Sequence, residues 1–419
     1  QFNDSEAVVL VVLDQLLPVV NQVLEQTSIK HVVAVNVTGS NDAIDKSVIS
    51  FASTLSKEPL NKISVPLSME DLAALQYTGG TTGPSKGAML SHSNLFCGRM
   101  MGRESIVLNE PDADEILIAV LPVYHVFGFT QNIIGSVLQG ATSVMVPDPR
   151  NLDSIIQAMQ AYPFTNMAGV NTLLSSLMAH PKFDEIDFSH ITGVIVGGTA
   201  LVKEIGEAWE RRTQTKIYEG YGLSETCANC SCNRPESNEI GTVGPSLNHQ
   251  EIKLIDEFGE TVNDGERGEI CIRGPNIMQG YWRNPEATSE SIDVDGWFKT
   301  GDVGIINQRG HLKIVDRIKD MIIVSGFNVY PNEIEAVIYG HPNIVECAVI
   351  GVADGLTGEA IKLYVVSNSD DLISTDIIEY CRNELTAYKV PKQIVFKDDL
   401  PKSPAGKILR RELRELDDD

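Results

Sequence analysis

Short apolar runs and helix-length amphipathic stretches take turns along about the first 220 residues. AVVLVV (7–12), PVVNQVLEQ (18–26) and HVVAVNV (31–37) read as strand, helix, strand. EILIAVLP (115–122), ATSVMVP (141–147), FTNMAGV (164–170) and GVIVGG (193–198) are apolar almost throughout, and helical patterns such as NLDSIIQAMQ (151–160) and KEIGEAWERR (203–212) lie among them. A strand with one wet face would alternate; uniform runs mean burial on both faces. The pattern predicts an α/β fold, a mixed or mostly parallel sheet covered by helices.

Two changes of texture follow. From about residue 240 to 316, runs such as EIKLID, GEICIRG and HLKIVD between Gly-containing turns predict a smaller β-rich subdomain. Beyond Arg317 the reading is a helix at 332–340, strands near 345–351 and 360–366, a helix at 373–385, a strand at 393–397 and a basic final segment. The expected organisation is a large domain at 1–316 and a small α+β domain at 317–419, of a size that folds by itself.

Composition narrows the function. Against 57 Asp and Glu stand 33 Lys and Arg, a net charge of −24, which repels phosphate backbones and argues against a nucleic acid partner. Any anionic ligand must be met by a few well-placed cations and backbone N–H groups. The seven cysteines are odd in number and mostly scattered, so a reducing, cytoplasmic setting is expected. The most apolar stretch, residues 7–24, is interrupted by Asp14, Pro18 and Asn21 and makes a poor membrane span. No signal peptide is visible, and the start at Gln1 suggests a fragment boundary.

The densest local motif is YTGGTTGPSKG at 77–87. Gly79, Gly80 and Gly83 let the backbone turn N–H groups inward, Thr78, Thr81 and Thr82 add hydroxyls, and Lys86 adds a point charge, a set suited to a polyphosphate. The spacing is neither that of a Walker-A loop nor of a dinucleotide fold, and by composition alone a surface linker remains open. In YEGYGLSET (218–226), Tyr221 is placed to stack on a base, Glu225 to hold Mg²⁺ and Thr226 to reach a phosphate; a solvated acidic turn is the plainer alternative. DGWFKTGD (295–302) puts a carboxylate at a turn suited to a ribose diol. DRIKD (316–320), SGFNVYP (325–331) and LPKSPAGKILRR (400–411) complete the series.

Taken together, these motifs resemble the adenylate-forming acyl-CoA synthetases, grouped with luciferases and peptide-synthetase adenylation domains. Residues 295–335 are most similar to the bacterial medium- and long-chain fatty acid–CoA ligases. The likeness spans about residues 71–411. It implies a further N-terminal portion ahead of Gln1 and a mobile small domain. It also implies two half-reactions: a carboxylate attacks the α-phosphate of ATP to give acyl-AMP and pyrophosphate, then the thiol of CoA displaces AMP.

The resemblance assigns roles as follows. Thr78 to Lys86 would cradle the β- and γ-phosphates. Gly197, Gly198 and Thr199 with Glu219, Gly220, Tyr221 and Gly222 would form the nucleotide wall. Thr226 would touch the α-phosphate, Glu225 would ligate Mg²⁺, and Asp302 with Arg317 would hold the ribose. Lys407 would bridge carboxylate and phosphate in the first transition state. Lys319 would be the hinge of a domain rotation that replaces Lys407 with the loop at Gly326, whose missing side chain admits pantetheine. His125, Phe127, Gly222 and Leu223 would wall the acyl pocket, although a histidine among apolar residues is more often simply a core residue.

The sequence departs from the family at Gly79, where serine is common, and at Pro84-Ser85, where the stiff position is shifted by one. Cys227, Cys230 and Cys232 are read as packing cysteines, with a zinc site as the sharper alternative. The basic stretch Lys407, Arg410, Arg411, Arg414 would meet CoA phosphates or an anionic membrane, or be a solvated face. The expected function is an ATP-, Mg²⁺- and CoA-dependent ligase of a medium- or long-chain fatty acid. An aryl-CoA ligase, a stand-alone adenylation domain and a non-catalytic binding module are the alternatives; a homodimer and peripheral membrane contact are left open.

Overall fold

The structure, a computed structural model, describes residues 1–37, 48–55, 64–78, 85–106, 114–403 and 407–416. Strands β1 (Val9–Leu13), β2 (His31–Val35) and β3 (Ile49–Ser50) form a small parallel sheet, with Val9 opposite His31 and the helix Leu17–Val23 as crossover. Strands β4 (Leu72–Thr78) and β5 (Lys86–Ser91) pair antiparallel, Thr78 opposite Lys86. β5 therefore stands between the Gly/Thr-rich segment and the helix. Ser91 caps that helix, His92–Ser105, in a reciprocal box with Asn94.

The central sheet is six-stranded: β6 (Ile116–Ala119), β7 (Thr142–Met145), β8 (Asn166–Gly169), β9 (Gly193–Val196), β10 (Ile217–Tyr221) and β11 (Ser231–Cys232), in the order β11-β10-β9-β8-β6-β7. All neighbours are parallel except β11, which runs against β10. The uniform apolar runs of the sequence are these strands. Ile118, Met167, Val194 and Ile217 are buried against Ile155, Ile156, Leu174 and Trp209. Helices Leu152–Ala161, started by the Asn151 side chain, and Lys203–Thr213 supply part of that cover.

Strands β12 (Glu251–Ile255), β13 (Arg267–Arg273), β14 (Phe298–Ile306) and β15 (Leu312–Arg317) form an antiparallel meander. After a 3₁₀ turn at Ile318–Asp320 come β16 (Ile322–Val324), β17 (Phe327–Val329), β18 (Ile344–Asp354), β19 (Gly358–Ser367) and β20 (Gln393–Phe396), which share one sheet. Helices Pro331–Tyr339 and Ser374–Glu384 close its core over Val349, Ile361, Leu363 and Val365. The β16–β17 hairpin was not expected from the sequence. Its Ser325-Gly326 turn has positive φ at both residues, 51° and 82°, the form that suits the strand twist. Among the described residues, no helix is long and apolar enough to cross a membrane.

The parallel strands of the central sheet all deliver their C-terminal ends to one edge. His125 and Phe127 follow β6, Gly197 to Thr199 follow β9, and residues 222–226 follow β10. Open parallel sheets hold ligands at that edge.

Candidate active site

The edge carries a carboxylate and a cation brought together by an aromatic ring. Glu225 is buried, and its Oε1 accepts a 2.8 Å hydrogen bond from the Tyr281 hydroxyl. The Lys86 ammonium lies 5.0 Å from the centre of the same ring. One Glu225 oxygen is thus committed and the other has no hydrogen-bond partner among the described residues, which suits Mg²⁺ held by one carboxylate and substrate phosphates. Tyr281 is 56 positions from Glu225, and no local signal in the sequence pointed to it.

A second group forms across the meander. Asp302 and Arg317 are direct partners in β14 and β15, and Arg317 Nε stands 3.0 Å from Asp302 Oδ1. The Tyr221 hydroxyl donates to Asp302 Oδ2 over 2.6 Å. Lys407 approaches from the final segment. Its side chain reaches water, yet crowding by surrounding protein atoms and the charge of Arg317 draw its pKa down to about 8. Lys319 is exposed, and desolvation with Arg317 lowers its pKa too. In a chain of net charge −24, these cations make the local field that an anionic ligand requires.

Arg410, three residues beyond Lys407, is tied to Glu335 at 2.7 Å, Asp320 at 3.5 Å and Asp316 at 3.7 Å. Arg414 pairs with Asp320 at 2.8 Å, and Arg411 with Glu415 at 3.2 Å. Three of the four cations in the basic stretch are therefore paired within the chain.

The third component is a cavity of about 500 Å³, including its open mouth, within the range usual for small-molecule sites. His125, Phe127, Gly197, Gly198, Gly220, Tyr221 and Gly222 line it together with Gln131, Asn229 and Ser231. His125 Nδ1 accepts from the Phe127 N–H at 3.2 Å, which leaves the ring proton on Nε2. Burial, then the charge of Lys407, lowers the His125 pKa. A neutral imidazole at the mouth fits a wall better than a proton shuttle. At Gly222 a Cβ would stand 2.1 Å from the Ala228 backbone, so only glycine fits. Leu223 lies outside the lining and packs against the core behind it.

Several expected residues sit elsewhere. Thr226 is fully buried; its hydroxyl accepts from the Leu223 N–H at 2.9 Å and the Cys230 thiol at 2.9 Å. It fastens the turn at Leu223, and the neighbouring Ser224 is half-buried. Glu219 is buried and outside the cavity lining, its carboxylate accepting from the Gly241 N–H at 2.6 Å. Burial raises its pKa to about 7. Gly326 lies on an exposed hairpin away from the cavity. Gly79, Gly80, Thr81, Thr82 and Gly83 fall outside the described residues. Thr199 is half-buried at the cavity edge, and its loop is pinned by Asn171, which donates to Ala200 O and accepts from the Val202 N–H. Cys227 and Cys230 pack in one core cluster and Cys232 in another.

The sequence pattern of the AMP-binding enzymes matches residues 1–282, and that of the AMP-binding enzyme C-terminal domain matches 333–407. The chain belongs to the AMP-binding enzyme family. Members of this adenylate-forming group use ATP and Mg²⁺, with CoA as co-substrate in the ligases. Among AMP-binding enzymes, a long-chain-fatty-acid–CoA ligase of Salmonella typhimurium is 38% identical over 99% of this chain and 78% of its own length. The ATP-bound crystal structure of MatB from Rhodopseudomonas palustris superimposes with a TM-score of 0.87 at 32% identity, covering 99% of this chain and 80% of that one. Its apo form, with the same coverage and 31% identity, superimposes at 0.74. The arrangement described here is thus nearer to the nucleotide-bound AMP-binding enzyme.

Proposed function

We propose that this chain is an ATP-dependent acyl–CoA ligase that activates a medium- or long-chain fatty acid as its adenylate and passes the acyl group to CoA. The observation that carries the reading is that Lys407 lies within electrostatic reach both of the Asp302–Arg317 pair and of His125 in the cavity lining. Two anions must meet there, and a fixed cation at the point of attack lowers the barrier by stabilising charge that peaks in the transition state.

In this reading Tyr221 and the glycines at 197, 198 and 220 flank the base, and Asp302 with Arg317 grips the ribose. Ser224 and Lys407 face the α-phosphate, and Lys86 the outer phosphates. Mg²⁺ held by Glu225 would offset phosphate charge. The substrate carboxylate attacks phosphorus, the bond to pyrophosphate breaks, and Lys407 neutralises both oxygens. After rotation at Lys319, the CoA sulfur attacks the acyl carbon and AMP leaves. The partners required are small molecules.

The test is a panel of carboxylic acids scored by pyrophosphate release with and without CoA. Thioester formation with a C8 to C18 acid is expected. Lys407→Ala should slow adenylation at least about a hundredfold, some 3–4 kcal/mol of barrier, with far less effect on ATP affinity. Pyrophosphate release without any thioester would indicate an adenylation-only enzyme; no release with any acid overturns the reading.

A further inference from the structure

The cavity wall is not uniformly apolar. Ile106, Val126, Phe127, Ile195 and Leu247 suit an alkyl chain, but Gln131, Asn229 and Ser231 share the lining. All three are more than nine-tenths buried. Gln131 Nε2 donates to Asn229 Oδ1 at 3.3 Å, and Asn229 Nδ2 donates to Cys227 O at 2.8 Å. Among the described residues nothing donates to Gln131 Oε1, and its second amide N–H is likewise unspent. Ser231 Oγ also has no partner.

The backbone is irregular where this amide is presented. Residues Phe129–Ile134 form a π-helical turn, a widening that costs stability and concentrates at functional sites. It places Gln131 and Asn132 together in the interior, and Asn132 Nδ2 is unpartnered as well. Arg99 lies behind them, its Nη2 on Gln139 Oε1 at 2.8 Å and its Nε unpartnered. A Cβ on Gly102 would meet Asn229 Oδ1 at 3.3 Å and Arg99 Nη1 at 3.7 Å, so the guanidinium borders the amide pair.

A plain alkyl chain seated here would strip water from Gln131 and return nothing, which disfavours it. One free acceptor and one free donor on a single amide match one hydroxyl, which donates to Oε1 and accepts from Nε2. His125 and Gln131 line the same cavity, and His125 is the one within electrostatic reach of Lys407, which puts the amide along the acyl chain rather than at its carboxylate. We infer that the cavity selects a fatty acid hydroxylated in mid-chain, read by Gln131 as oriented by Asn229. The inference rests on the acyl-ligase reading and names the substrate class of that site.

The experiment compares dodecanoate with its series of monohydroxylated isomers and with dodecanedioate, by pyrophosphate release. One mid-chain isomer should exceed dodecanoate in kcat/KM by about tenfold or more. Gln131→Met should erase that preference by raising dodecanoate and lowering the hydroxy acid. A flat hydroxyl series, a wild-type preference for dodecanoate, or a ratio unmoved by Gln131→Met overturns the inference. So does a preference for the diacid, which would point to Arg99. Release with none of these acids would instead remove the ligase reading beneath it.

Discussion

The Tyr221 hydroxyl donates to Asp302 Oδ2 across 2.6 Å, joining the end of β10 in the central sheet to β14 in the meander. The ring that would carry the base and the carboxylate that would hold the ribose are thus one rigid unit, closed on its far side by Arg317 at 3.0 Å. Tyr221→Phe keeps the ring and removes a bond to a buried carboxylate, worth about 1.5–3 kcal/mol. The KM for ATP should rise about tenfold or more with kcat little changed, measured by pyrophosphate exchange. A change confined to kcat would contradict the assignment.

Lys407 is held near neutrality by its surroundings, with its pKa at about 8. Above that pH it loses the charge that adenylation needs, so kcat/KM should fall on the alkaline side with a midpoint near 8. Lys407→Arg, which stays protonated, should lose overall rate but also lose this limb. A wild-type profile level well above that midpoint would remove Lys407 from the first half-reaction.

Ser224 and Thr226 flank Glu225 and should separate cleanly. Ser224→Ala is expected to cut adenylation by about a hundredfold without changing thermal stability. Thr226→Val strands the Leu223 N–H and should cost about 1–3 kcal/mol in the melting transition. Reversed effects would return the phosphate contact to Thr226.

Gly326 has nothing within 4 Å of a would-be Cβ, and its φ is 82°. Gly326→Leu therefore meets only backbone strain here, about 1–2 kcal/mol. Pyrophosphate release should survive and thioester formation should fail, because the side chain obstructs only the second arrangement. Equal activity in both steps would exclude Gly326 from the thiol path.

Asp316 is buried, and its pKa is pushed up to about 6, with Arg410 the largest opposing influence. A carboxyl raised above its unfolded value of about 3.9 binds more protons when folded, so stability is lost as pH climbs from about 4 to 6. Removing the cation by Arg410→Leu should destabilise by about 3–5 kcal/mol. The loss should be greater at about pH 8 than at about pH 5, where the carboxyl groups take up protons instead. Calorimetric scans at both pH values check this.

The strands of the central sheet were legible because burial on both faces leaves runs with no alternation, and EILIAVLP or GVIVGG can be little else. Ser91 starts the helix His92–Ser105 through a bond to Asn94 three residues on, since capping is a local property. The β16–β17 hairpin was missed because its pairing turns on two positive φ angles at Ser325 and Gly326 that the surrounding mixed sequence does not announce. Tyr281 and Asn171 were missed for a different reason: each acts on a partner brought near only by the fold. Thr226 was read as a phosphate contact because the sequence shows its hydroxyl but not the packing that buries it.

Asp316 and Asp320 stand on either side of Lys319, and one guanidinium, that of Arg410, serves both. Were the chain to swivel at Lys319, the gap between those two anions would change and Arg410 would have to release one of them. Such a joint would move between stops instead of drifting, and dissolved salt, by shielding the grip, would ease each click.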